Sequence, residues 1–116
     1  MLPILFQFKP QFLAISAGFD AYEKDPIGVL GVTNQGFSNI GSYVHQIVSD
    51  LNIPFANFLE GGYNIQMLPN LVSSYINPLI HPKDDYDQTI QSLKPNTQTL
   101  DTVNQAKNLL KDYWEL

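Results

Sequence analysis

Two short apolar runs stand on either side of a stretch with helical periodicity, and that order leaves few ways for the chain to fold. Residues 12–17 (FLAISA) are bounded by Pro10 and Gly18. Residues 55–59 (FANFL) are introduced by Pro54 and closed by Glu60-Gly61-Gly62. Both read as strands apolar enough to be covered on both faces, and such strands are usually parallel. Between them Phe37, Ile40, Val44, Ile47, Val48 and Leu51 recur at intervals of three and four, which predicts an amphipathic helix over 33–51 capped by Thr33 or Asn34. A strand, a helix and a second strand in one sheet require a right-handed crossover and a parallel pair. A further helix follows Tyr63-Asn64, carried by Ile65, Leu68, Leu71, Val72, Tyr75 and Ile76 and ending near Asn77-Pro78; Pro69 fits its first turn or marks a kink. The predicted class is α/β, a βαβα parallel-sheet fragment.

Residues 81–99 are polar, with Pro82 and Pro95 and few apolar anchors, and read as a connecting loop. A final helix is predicted over 100–116, where Thr102 and Gln105 have capping-box spacing and Val103, Ala106, Leu110 and Tyr113 form a stripe that would pack on the same domain as residues 1–80. With 44% hydrophobic residues in 116, the chain has the side chains for a core. Two strands apolar on both faces are nevertheless a thin sheet, and they are expected to lie inside a wider one.

The opening MLPILFQF has no basic n-region, contains Pro3 and runs into Lys9-Pro10, so it reads as neither a signal peptide nor a membrane span. No later apolar run approaches the ~20 residues that a spanning helix needs. A formal net charge of -5 argues against surfaces that track nucleic-acid phosphates or anionic lipid, so no direct nucleic-acid or membrane partner is expected; an acidic cleft would favour a cationic substrate. Without cysteine there is no disulfide and no thiolate metal site, which leaves Asp, Glu and His as metal ligands and fits an intracellular protein.

Parallel α/β sheets bind ligands where loops leave the C-terminal ends of the strands. Those loops carry Asp20 after the first strand and Gly61, Gly62, Tyr63 and Asn64 after the second, so an oxygen ligand and a phenol would share one edge. The plainer alternative is that Asp20 caps a turn and Tyr63 packs over the next helix. Other residues read structurally. Asp84, Asp85 and Asp87 lack the pattern of a calcium loop, Glu60 fixes a turn, and Asp25-Pro26 is a turn element. Ser16 has no histidine beside it to activate it, His45 lies at the edge of the helix's apolar face, and His81 precedes Pro82 at a helix exit.

Residues 16–26 (SAGFDAYEKDP) and 59–64 (LEGGYN) resemble two motifs of the histone deacetylase family, part of the zinc-dependent arginase/deacetylase superfamily that includes acetylpolyamine amidohydrolase-like proteins. Their order, the helix between them and the Phe8-Lys9-Pro10 lead-in fit that family, most strongly over residues 8–80. The closing Tyr113-Trp114 segment looks like the end of the larger deacetylase domains, so the domain's C-terminus is expected here. The resemblance implies an arginase/deacetylase-like fold in which Asp20 is a zinc ligand and Tyr63 is the phenol that hydrogen-bonds the acetyl carbonyl and then the oxyanion. It further implies that Gly61 and Gly62 line the wall beside Tyr63 and that Ile27 is an apolar residue of the acyl-lysine tunnel. The substrate class would be acetylated lysine or an acetylated polyamine.

The family also places two adjacent histidines and an Asp-x-His pair upstream of the Gly-Phe-Asp motif. This sequence has two histidines, not adjacent, and no Asp-x-His. The expectation is therefore the C-terminal portion of a deacetylase, inactive alone and binding zinc weakly or not at all, completed by a missing N-terminal half or a homo-oligomer. The alternative is a non-catalytic remnant or interaction module that pairs with another chain.

Overall fold

The computed structural model describes residues 2–82 and 95–116. The element order is α1 (Leu2–Phe8), β1 (Leu13–Ala17), α2 (Asn34–Leu51), β2 (Phe55–Leu59), α3 (Leu68–Ile80) and α4 (Thr97–Leu110). The strands pair in parallel, Leu13 opposite Phe55 and Ala17 opposite Leu59, with α2 as the crossover. The α/β class and the parallel pair are as the sequence pattern predicts.

Local chemistry sets the ends of α2. Thr33 is extended and its hydroxyl accepts from the Gly36 N–H at 3.1 Å, which satisfies one of the orphan donors of the first turn. At the other end Asn52 adopts a left-handed conformation with φ 51° and returns its N–H to Ser49 and Val48, and the chain turns directly into β2. Helix α3 begins at Leu68 with Pro69 in its first turn, where a missing N–H costs nothing. It runs on through Pro78 to Ile80, past the predicted stop at Asn77-Pro78.

The core lies between the sheet and the α2–α3 pair. Phe37, Val44 and Val48 come from α2, Leu71 and Tyr75 from α3, and Phe19 and Tyr22 from the loop after β1. The Phe19 ring is tilted against Phe37 at 5.1 Å and meets Tyr75 edge-on at 5.8 Å, both favourable aromatic geometries. The Tyr75 hydroxyl donates to Asn57 Oδ1 at 2.6 Å, tying α3 to β2, and burial raises the pKa of this phenol.

Four expectations need correction. The strands are not covered on both faces: Leu13, Ile15, Ala17 and Phe55 pack on the core, whereas Ala14, Ser16 and Phe58 on the opposite face are exposed, because both core helices lie on one side. The sequence reading missed α1, a seven-residue helix ended by Lys9 at φ 51°. Helix α4 starts at Thr97, inside the predicted loop, because Asn96 caps it by accepting from the Thr99 N–H at 2.8 Å; the Thr102 hydroxyl instead bonds the Gln98 carbonyl within the helix. The α4 stripe is not a packed one, since the helix buries none of its residues. The last residues are joined to α1, where the Gln7 side-chain amide donates to the Glu115 carbonyl at 2.7 Å and accepts from its N–H at 3.0 Å. Asp84, Asp85 and Asp87 lie outside the described residues.

Candidate functional site

The loops that leave the C-terminal ends of β1 and β2 are bonded to each other before either reaches its candidate residue. The Glu60 N–H donates to Ala17 O at 3.2 Å, and the Phe19 N–H donates to Gly61 O at 2.7 Å, which carries the strand pairing one step beyond the sheet. Phe19 and Tyr22 then turn into the core. The segment folds back on itself through Val32 N–H to Ala21 O and Glu23 N–H to Val32 O, both at 3.0 Å. Asp20, between the two buried aromatics, is left partly exposed at the sheet edge.

The Asp20 carboxylate lies over two glycines. A methyl group on Gly18 or on Gly61 would fall 2.7 Å from Asp20 Oδ1, and on Gly61 it would also come within 2.8 Å of Cγ. Absence of a side chain at both positions makes room for the carboxylate. Gly62 has φ 138°, a conformation side-chain-bearing residues rarely adopt, and it turns the chain toward Tyr63.

Asp25 organises the rest of the site. Its Oδ1 accepts from the N–H groups of Ile27 and Gly28, each at 2.9 Å, and its Oδ2 accepts from Tyr63 at 2.8 Å and Asn64 at 3.2 Å. Partial desolvation opposes ionisation of this carboxyl, but the four backbone donors outweigh it and hold its pKa below the ordinary carboxylate value. Asn64 tightens the junction by donating from Nδ2 to Lys24 O at 2.8 Å and accepting from the Met67 N–H at 3.2 Å. Ile27 and Tyr63 stay 66% and 48% exposed, so both remain accessible to a ligand at this edge.

The structure thus brings Asp20 against Gly61, and Ile27 and Tyr63 onto one carboxylate. It does not bring either histidine to them. The His45 Nε2 lies 3.4 Å from Ser49 Oγ one turn along α2, and His81 is exposed at the end of α3. Among the described residues no three His, Asp or Glu side chains are grouped to hold a metal ion. On their own the described residues therefore do not fit a complete zinc site. Asp25 is the residue that sequence reasoning undervalued. Its bonds two and three positions ahead belong to an ordinary Asx turn and were legible in Asp-Pro, but those to Tyr63 and Asn64, 38 and 39 residues away, were not. Among the described residues no helix is long and apolar enough to cross a membrane.

Comparison with known proteins gives a consistent result. The family model described as the histone deacetylase domain matches residues 1–79. Histone deacetylase 15 of Arabidopsis thaliana is 33% identical over 115 residues, covering 98% of this chain and 20% of the relative. The crystal structure of the HDA15 HD domain superposes with a TM-score of 0.74 at 32% identity, over 97% of this chain and 28% of that one. An acetylpolyamine aminohydrolase from Burkholderia pseudomallei gives a TM-score of 0.58 at 33% identity, over 65% of this chain and 21% of that one. The chain thus spans about one fifth of the length of the curated relative it matches.

Proposed function

The chain belongs to the histone deacetylase family, and we propose that it supplies one wall of a zinc-dependent deacetylase site and is inactive until the remaining ligands are added. The observation that carries this reading is the placement of Asp20 and Tyr63 on two loops bonded to each other at the C-terminal edge of one parallel pair. Asp20 contributes a carboxylate oxygen to the metal, a ligand type suited to zinc. The histidines come from outside these 116 residues, from another stretch of polypeptide or from a partner chain.

Tyr63 serves as a hydrogen-bond donor to the acetyl carbonyl and, more strongly, to the oxyanion as charge develops there. Ile27 contributes an apolar side chain for the alkyl part of the substrate, and Gly61 and Gly62 line the wall beside Tyr63. The reaction is hydrolysis of an acetamide to acetate and a free amine, on acetylated lysine or an acetylated polyamine. Relatives of both kinds, a histone deacetylase and an acetylpolyamine aminohydrolase, support the substrate class without separating the two. The test is to combine the chain with the upstream part of a matching deacetylase domain and measure bound zinc and acetate release.

One observation favours a second reading, an interaction module without catalysis. Phe12, Phe58 and Leu59 are 52%, 53% and 62% exposed, an apolar surface of the kind that pairs with another chain. The same surface is needed for completion of the enzyme, so only activity in the complemented protein separates the two readings.

A further inference from the structure

We infer that Asp25 is a positioning residue for the reaction, a single carboxylate that fixes the Tyr63 wall of the site to the Ile27 wall. The inference rests on the role proposed above for Tyr63 and adds what holds that residue in place. Oδ1 takes the two N–H groups of the Ile27 side and Oδ2 the two of the Tyr63 side, at 2.8–3.2 Å. Only one other side-chain bond joins these segments among the described residues, Asn64 Nδ2 to Lys24 O at 2.8 Å, and Asp25 is the group that binds both the Ile27 and the Tyr63 backbone.

The chemistry of the position is specific to a carboxylate. Four donors converge on it, and an ionised Asp offers two acceptor oxygens with lone pairs enough for all four. Asparagine has the same shape, but it offers one oxygen and turns an NH2 group toward the other pair of N–H groups, where donor meets donor. One wall would stay attached and the other would be released. Release of the Tyr63 wall matters because an oxyanion donor works only when it is already aimed, and a displacement of about 1 Å in such a group can cost a hundredfold in rate.

The experiment has two arms. Hydrogen exchange by mass spectrometry on the full chain should show that Asp25→Asn speeds exchange in peptides covering 26–30 or 61–66 while those from α2 and α3 remain as in wild type. If exchange rises everywhere, Asp25→Glu, which keeps both oxygens at one methylene's greater reach, decides between a local effect and general unfolding. Unchanged exchange in both loops, or a uniform rise in both variants, would overturn the inference. In the complemented protein Asp25→Asn should lower kcat about a hundredfold with KM little changed, and it should add little to the loss already caused by Tyr63→Phe, because it acts through that residue. Fully additive losses would show that Asp25 does not act through Tyr63. If wild-type complementation releases no acetate, the deacetylase reading fails and the exchange arm still decides whether Asp25 registers the two loops.

Discussion

The Phe19 N–H donates to the Gly61 carbonyl at 2.7 Å, and this bond makes the two loops beyond the sheet one structure. It joins the loops at their bases and sets Asp20 over Gly61, while the parts that carry Ile27 and Tyr63 meet further out, at Asp25.

Gly61→Ala tests the placement of Asp20. The new methyl would lie 2.7 Å from Asp20 Oδ1 and 2.8 Å from Cγ, so the carboxylate must move. Because the contact is with the outer end of a partly exposed side chain that can swing aside, the expected cost in stability is within about 1 kcal/mol. In the complemented protein zinc affinity should fall along with it. Unaltered zinc affinity measured by competition with a chelator would mean that the carboxylate is not held where the structure has it.

Acid should loosen the site through Asp25. Its folded-state pKa is depressed, so its stabilising contribution is fully present above the unfolded-state value of about 3.9 and is lost as pH falls through the folded-state value. Chemical denaturation followed from about pH 6 to about pH 3 should show wild type losing stability faster than Asp25→Asn, the two curves converging at the acid end. Parallel curves would mean that the four backbone donors do not favour the ionised form.

Much of this arrangement was legible in the residue order. The periodicity from Phe37 to Leu51 and the apolar runs on either side of it specify a parallel pair with a crossover helix, and the glycines after each strand marked the loops that meet. The open sheet face was not legible, because apolar character at Phe58 states what a strand prefers to touch and not whether a neighbour is present. Helix α4 was misread at its start because Asn96 and Thr102 are both good caps, and only the backbone geometry decides between them. The second half of Asp25's role was hidden because sequence patterns report local bonds, whereas Tyr63 lies 38 residues away.

The exposed surface predicts how the isolated chain behaves. Phe12, Phe58 and Leu59 leave apolar area in water beside unpaired strand edges, so sedimentation velocity should show concentration-dependent oligomers. Phe58→Glu should shift that distribution toward monomer without unfolding the α2–α3 core, since Phe58 lies outside the buried cluster. A clean wild-type monomer with a sharp two-state melt would show that these residues complete their own core.

The central claim, that this chain carries one wall of a deacetylase site and lacks the rest of the ligand set, is tested most directly by zinc content and acetate release with and without an added upstream portion of a matching deacetylase domain. A catalytic zinc site typically takes three protein ligands, and the proposal assigns one of them to Asp20. The account predicts little zinc and no acetate release for the chain alone, and both zinc and acetate release for the complemented protein. There Asp20→Asn abolishes activity, and Tyr63→Phe keeps the metal while slowing turnover about a hundred- to a thousandfold. Zinc-dependent acetate release by the unassisted chain, lost in Asp20→Asn, would contradict the account and assign ligand roles to His45, His81 or a second copy of the chain.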